Sequence, residues 1–473
     1  MTRVAQFSVF RIIIRYKFHL LLFILSFLIL TKFNIDPDLG WHLAYGQDFW
    51  ESGQIIRRDI FSWTMAGYEW EIPYIGYQSL VAFLFSKFGH ILTSIIFGLI
   101  TASGVLLLLP KKIDFWHLPI VILALAISLA NLGIRPHAVS FLLFAILLLL
   151  VEKDFFRKKF SLIFLVVIFA VWVNFHQGFL FGLFFLSTVV LIDILTDTSR
   201  ISLSLGRRLL PLIAAFIGSF LNPFTFRMWQ TIIVDGTYPR IWLEIAEFQP
   251  IGLYFPANLL FALSGGVFVY IFLKKFKDIK PSLLLVAAAL FVIGFVVVFM
   301  ASFWAAIFIF LATRYFKFDF TISFDRLTKY FVAVISACVV LAFSLNFVAE
   351  YLESMNLDEK LSEEGYPTGA VAFLKSNDLV LKEGFFNEYN WGGYLVWQEI
   401  PVFIDGRMAS WRKNETSIFA DYLKITSEDC AKLQQYQIKL ALLNKSRENV
   451  CFEGFKKIYE DENAKILVSP AMR

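Results

Sequence analysis

The stretch Ile35-Asp36-Pro37-Asp38-Leu39-Gly40-Trp41-His42 follows directly on the first long apolar run, and the fold turns on how it is read. It puts two carboxylates and a histidine where a membrane ends and water begins. Asp36 before Pro37 reads as a helix start, because Asp caps free N–H groups and Pro fits the first helical position. Asp38 and His42 are then four apart and share one helix face. Trp41, Tyr45 and Phe49 form a neighbouring stripe suited to the interfacial zone. Arg57-Arg58-Asp59, Trp63, Glu69, Trp70 and Glu71 continue a polar but aromatic loop. The plain alternative is a capped interfacial helix that only joins two spans.

Composition sets the frame around this turn. Of 473 residues, 58% are hydrophobic and 17% are charged. That is too apolar and too charge-poor for a soluble domain, so the chain reads as a polytopic membrane protein. The 55 phenylalanines supply lipid-facing surface. The net charge of +5 gives no reason to expect nucleic acid, since Lys and Arg gather in short loops, as membrane topology requires. Three cysteines without a CxxC or Cys/His spacing exclude a zinc site of the usual kind. Arg3, Arg11, Arg15 and Lys17 precede the first apolar run and no small-residue cleavage site follows it, so that run reads as an uncleaved span.

Apolar runs at about 18–33, 90–110, 117–134, 138–151, 160–175, 178–194, 209–221, 251–273, 281–298, 303–313 and 330–347 give about eleven spans. Residues 70–89 are apolar with Glu71, Gln78 and Lys87 interspersed, and suit the interface or a partial dip into the bilayer. Lys111-Lys112, Lys153 with Arg157-Lys158-Lys159, Arg207-Arg208 and Lys274-Lys275-Lys277 alternate with basic-poor turns. Placing them inside makes the N-terminus cytoplasmic and the region after the last span extracytoplasmic. Arg57-Arg58 is an exception in a longer loop.

The turns on the other side carry Asp36, Asp38 and His42; Asn131, Arg135 and His137; Asn174 and His176; and Asn222-Pro223. The loop 225–250, with Asp235, Arg240, Glu244 and Glu247, falls there too, and His90 lies near the same face. Ionisable groups near a bilayer are costly and usually face a cavity or a partner. Several on one face point to a water-filled site. The alternative is that Arg135, His137 and His176 only satisfy carbonyls at helix ends.

From about residue 349 charges rise and long apolar runs stop, which divides the chain into a membrane core, 1–348, with its first external loop at 34–89, and a C-terminal domain, 349–473. Helices are expected over 367–376 and 391–398, and strands over 384–387, 401–404, 438–443 and 465–468. That alternation is a small α/β domain. Cys430 and Cys451 share it and permit a disulfide in an extracytoplasmic setting, with two buried thiols as the alternative. Cys338 sits in a span. Two motifs stand out: Asn387-Glu388-Tyr389-Asn390-Trp391-Gly392-Gly393-Tyr394 and Phe403-Ile404-Asp405-Gly406-Arg407. Gly392-Gly393 allows close backbone approach, and Asp405–Arg407 follows a strand, a usual place for functional loops. The structural alternative is helix packing at the glycines and a local Asp405–Arg407 ion pair.

Together these motifs resemble the GT-C class of integral-membrane glycosyltransferases. The Asp36–His42 start, Arg58-Asp59-Ile60-Phe61-Ser62, Trp70, Arg135-Pro136-His137, Asn174-Phe175-His176, Asn222-Pro223, Trp391–Tyr394 and Phe403–Arg407 follow the order of a group of bacterial members of uncertain substrate. Gly40 stands where a second Trp is expected. The Trp391–Tyr394 turn is also distantly similar to the Trp-Trp-Asp-Tyr-Gly element of oligosaccharyltransferase catalytic subunits, but lacks its Asp, which puts peptide-acceptor binding in doubt.

The resemblance implies an inner-membrane, multi-pass enzyme that moves a hexosyl or pentosyl group. The donor would be a polyprenyl-phosphate sugar, and the acceptor a glycan, lipid or protein on the outer face. Asp38, with Asp36, would be catalytic. His42, Arg135, His137, Asn174, His176, Asn222, Trp391, Tyr394, Asp405 and Arg407 would bind substrate. A divalent cation could sit on Asp36 and Asp38, since hard cations take carboxylate oxygens. Competing readings are a lipid or glycolipid transporter or flippase, and a non-catalytic envelope assembly protein. Transporters put ionisable groups near mid-membrane, whereas here they gather at one face, which favours the enzyme.

Overall fold

A computed structural model describes residues 2–71, 74–155, 160–196, 205–236, 245–253, 255–316, 326–407, 412–413 and 416–470. The chain is a mostly helical membrane protein with a small C-terminal sheet. Five described helices are long and apolar enough to cross a membrane: Ile75–Leu108, Phe179–Thr196, Ala257–Lys275, Val298–Tyr315 and Val334–Glu353. Five shorter apolar helices join them: Tyr16–Leu30, His117–Ser128, Pro136–Glu152, Ser161–Phe175 and Pro281–Val296. The count of about eleven spans therefore stays an expectation. The run expected at 209–221 lies in the helix Leu205–Ser219, which is amphipathic and carries Pro211 inside it.

Two compact units divide the chain. The first holds residues 1–32, 94–225 and 238–350; the second holds 33–93, 226–237 and 351–473. The second unit thus includes the first external loop and the acidic turn. The boundary between the first two segments falls close to a break at Gly89, where φ is 73° inside the helical stretch Ile75–Leu108. A residue with a Cβ rarely adopts that backbone, and the break separates the interfacial stretch expected at 70–89 from the span that follows.

The core of the first unit is aliphatic and aromatic throughout. Val298–Tyr315 is its most enclosed long helix, with Trp304 buried against Phe261, Phe268 and Phe291. Trp304 Nε1 donates to Ser264 Oγ at 2.9 Å, so the one polar edge of that ring is satisfied. By contrast the window Val334–Glu353 is not buried at all, as a helix facing lipid along its length would be.

In the second unit a four-stranded sheet is built from β1 (Phe385–Asn387), β2 (Leu440–Asn444), β3 (Lys456–Glu460) and β4 (Ala464–Val468). Its order is β1-β2-β4-β3. β1 pairs parallel with β2 through Phe385↔Leu440, while β2–β4 and β3–β4 are antiparallel. Thr368–Ser376 and Gly392–Trp397 are helices as expected. Residues 401–404 form no sheet strand. Val402 instead exchanges backbone hydrogen bonds with the first loop: its N–H donates to Phe61 O and Trp63 N–H donates to its carbonyl, both at 3.1 Å. The physical reason is that Val402–Ile404 is fully buried and needs a backbone partner, which residues 61–63 supply from 340 positions upstream. Cys430 and Cys451 form a disulfide with a Cα separation of 4.9 Å.

Candidate functional site

The acidic turn starts the helix Leu39–Ser52. The helix begins at Leu39, two residues later than Pro37 would start it, and Asp38 occupies the cap position without making a side-chain cap. Asp36 makes the local bond instead: its Oδ1 accepts the Asp38 N–H at 2.9 Å. Asp38 Oδ1 accepts Trp41 Nε1 at 3.0 Å. Both carboxylates are half-buried.

Four glycines explain why this turn sits where it does. A Cβ on Gly40 would lie 2.2 Å from the Gly393 carbonyl oxygen, and one on Gly393 would lie 2.2 Å from the Pro37 oxygen. On Gly392 it would meet the Ile404 oxygen at 2.3 Å, and on Gly406 it would meet Asp38 Oδ1 at 1.6 Å. The start of the helix Leu39–Ser52 therefore packs backbone-to-backbone on the start of Gly392–Trp397. A Trp at position 40 could not be accommodated there. A glycine at 40 is what the docking demands.

Behind the turn lies a buried ionic cluster. Arg407 Nε donates to both oxygens of Asp405 at 2.9 Å, and its Nη2 donates to Asp405 Oδ2 at 2.6 Å. Its Nη1 donates to Asp59 Oδ1 at 2.6 Å and to Tyr45 OH at 2.7 Å. Asp405 is 0% and Arg407 3% exposed. Burial pushes the Asp405 carboxyl above its ordinary value, and Arg407 pulls it back. Burial alone would lower the Arg407 pKa, but Asp405 and Asp59 hold it well above its ordinary value. Burial likewise raises the Tyr45 phenol, which stays neutral and accepts from the guanidinium. Asp59 is anchored by the Phe61 N–H at 3.1 Å and by Ser62 Oγ. Sequence reading passed over Asp59 and Tyr45 as members of this cluster; the Asp59-x-x-Ser62 turn was its only local trace.

The other expected residues of this unit are enclosed. His42 is 4% exposed and lies among aromatic rings: Trp41 at 3.5 Å, Tyr77 at 4.7 Å and Tyr74 at 5.2 Å between centroids. Trp41 and Tyr45 also pack on Trp70, so these two members of the stripe expected at an interface are core, while Phe49 is half-buried. Trp391 Nε1 donates to Gly365 O at 3.0 Å. The Tyr394 ring lies tilted at 5.5 Å from that of Tyr366, and burial pushes its phenol up to about 12. Tyr394, Tyr366 and Trp397 line a narrow apolar crevice that opens beside Asp36. Asn387, buried in the same motif, fixes Ile404 O and the Phe403 N–H.

The first unit holds its own polar cluster. Arg135 Nη1 donates to Glu247 Oε1 at 2.6 Å. The rings of His137 and His176 lie 4.4 Å apart, and His176 Nδ1 is 2.7 Å from Ser140 Oγ, which also accepts Trp172 Nε1 at 2.7 Å. Asn131, Asn174 and Asn222 hold backbone carbonyls: Val298 O, Leu221 O and Ser219 O respectively. Arg135 and His176 each have a side-chain partner, Glu247 and Ser140, beyond the helix-end carbonyls that the alternative reading supposes. Asp38 and Asp405 belong to the second unit and this cluster to the first. Arg240, Glu244 and the side chain of Asp235 lie outside the described residues. Among the described residues no three Asp, Glu, His or Cys side chains gather as a metal-holding group. Asp36 and Asp38, the pair singled out for a cation, each give one oxygen to an N–H of the turn.

No protein-family model and no curated sequence matches the chain. Among solved structures it is similar to the archaeal oligosaccharyltransferase AglB from Archaeoglobus fulgidus in complex with an inhibitory peptide and a dolichol-phosphate, at 12% identity and TM-score 0.48, covering 91% of this chain and 70% of that one. It is similar to the Archaeoglobus fulgidus oligosaccharyltransferase tethered with an acceptor peptide containing the NVT sequon, at 12% identity and TM-score 0.46 over 91% and 69% of the two chains. The apo form gives 13% identity and TM-score 0.47 over 91% and 70%.

Proposed function

We propose that this chain is a GT-C type glycosyltransferase that moves a sugar from a polyprenyl-phosphate-linked donor to an acceptor on the extracytoplasmic face. The observation that carries this reading is the Asp38 carboxylate. It is half-buried at the N-terminal end of the helix Leu39–Ser52, oriented by the Trp41 indole at 3.0 Å and walled by Gly406. A general base must be ionised and held in reach of the acceptor hydroxyl, and a carboxylate fixed in this way suits that role. The helix end also favours its charged form. Asp36 is assigned to the turn itself. Arg135, paired with Glu247, and the neighbouring His137 and His176 belong to the first unit and are given no step in this reading. Asp405 and Arg407, paired with one another and, through Arg407, with Asp59 and Tyr45, are assigned to holding the turn.

The test is an assay of the purified protein in liposomes with polyprenyl-phosphate sugars as donors. Donor cleavage that depends on Asp38 supports the reading. Translocation of intact donor without cleavage would identify a flippase, and neither activity with any such donor would leave the envelope-assembly role.

A further inference from the structure

We propose that Gly406 is a positioning residue for Asp38: its bare Cα, fixed from both sides, sets where the Asp38 carboxylate points. The inference rests on Asp38 being the general base. Its evidence is separate from that reading and is steric. Each of the other three docking glycines faces backbone. A Cβ on Gly40, Gly392 or Gly393 would run into a carbonyl oxygen at 2.2–2.3 Å, so a side chain there would push the turn and the domain apart. Gly406 differs. Its nearest neighbours are Asp38 Oδ1 at 1.6 Å, Cγ at 2.8 Å and Oδ2 at 3.4 Å, all in one side chain. A Cβ at 406 would displace a carboxylate and leave the chain trace alone.

Residue 406 cannot retreat to relieve the overlap. On one side Asp405 is completely buried and Gly392 packs against its Cα. On the other, Arg407 is pinned by its own N–H to Asp405 Oδ1 at 2.9 Å and by its guanidinium to Asp405, Asp59 and Tyr45. The cluster that sequence reading placed in substrate binding thus forms an anvil. It holds a glycine against Asp38 Oδ1, the same oxygen that accepts the Trp41 indole N–H. A Cβ at 406 therefore moves the oxygen that Trp41 bonds.

The experiment uses the full chain with 5-fluorotryptophan at its 12 tryptophans, the Trp41 fluorine resonance being the one missing in Trp41→Phe. Asp38→Asn should shift that resonance. Gly406→Ala should shift it as well and leave the other resonances in place. Gly454→Ala, at a glycine with open space around its Cβ, should move none. In the liposome assay Gly406→Ala should lower turnover about 10²-fold, the usual effect of moving a reacting group by an ångström, with the donor KM unchanged. Should Gly406→Ala fold poorly, the pair Asp38→Ala/Gly406→Ala decides: truncating Asp38 removes every atom the new Cβ would strike, so the double variant should recover the melting temperature of Asp38→Ala. A Trp41 resonance unmoved by Gly406→Ala, or no recovery in the double variant, overturns the proposal. A shifted resonance with no transferase activity in the wild type sinks the glycosyltransferase reading and leaves the steric coupling standing.

Discussion

Arg407 and Asp59 lie 348 residues apart in the chain and 2.6 Å apart in the fold, Nη1 to Oδ1. With Asp405 on its other face, the guanidinium balances two buried carboxylates. Arg407→Met leaves both without it and should cost about 3–5 kcal/mol of stability. Arg407→Lys should recover little, because an ammonium cannot bond Asp405 and Asp59 in one planar fork. The pH dependence has a definite sign. A carboxyl whose folded-state pKa is raised keeps its proton longer when folded, so stability falls as pH rises from the unfolded carboxylate range toward that raised value. Burial raises Asp405 even with Arg407 present, and without it the window widens upward. The melting temperature of Arg407→Met should therefore rise on acidification from about pH 7.5 to about pH 5.5, more than that of the wild type. Thermal unfolding of the detergent-solubilised protein at both pH values checks this, and a flat profile would count against the buried pair.

The two carboxylates of the acidic turn should separate by role. Asp38→Asn removes the base and should lower turnover by about 10²–10⁴-fold while donor binding persists. Asp36→Asn still offers an oxygen to the Asp38 N–H and should be milder. Measuring kcat and donor KM for both settles the order; the reverse ranking would mean the roles are exchanged.

The Cys430–Cys451 bridge joins residues 21 positions apart in the C-terminal region. Intact mass without reductant should fall by two hydrogens relative to the reduced chain. Cys451→Ser should lower stability by about 2–4 kcal/mol. An unchanged mass on reduction would show two thiols instead.

Sidedness can be read with single cysteines in a Cys338→Ser/Cys430→Ser/Cys451→Ser background. Arg207→Cys and Lys275→Cys should react with an impermeant maleimide only from the cytoplasmic face, and Glu453→Cys only from outside, by the basic-loop pattern. Lys158, which belongs to the same pattern, lies outside the described residues. Labelling of Arg207→Cys and Glu453→Cys from one side would overturn the topology.

What could be read from the sequence divides along the range of the interactions. Apolar helices and the strands at Phe385–Asn387 and Ala464–Val468 carry their signal within a few residues, as periodicity and burial. Residues 401–404 read as a strand because Val402, Phe403 and Ile404 are buried and apolar, but their backbone partners are Phe61 and Trp63, which no local pattern announces. Lys456–Glu460 was missed for the opposite reason: it is an edge strand, with charged and largely exposed positions that hide its pairing. The motifs around Asp38 and Asp405 were visible. That Asp405 and Arg407 face inward was not, because an ion pair and a ligand site use the same residue types. His42 shows the same limit, since its position on the helix said nothing of the Tyr74 and Tyr77 rings that enclose it.

The strap that joins Asp59, Trp63 and Thr64 to Val402, Phe403 and Arg407 also sets an order of events in the cell. A ribosome adding about 5–20 residues per second needs on the order of 20–70 s to travel from codon 59 to codon 407. Throughout that interval the nascent acidic turn has left the ribosome without the guanidinium, the glycine pair or the backbone partners that seat it. A translation product halted before Arg407 would carry most of its apolar helices into the bilayer and still lack a seated Asp38. Insertion and maturation are thus separate steps, and only the last quarter of the message completes the second.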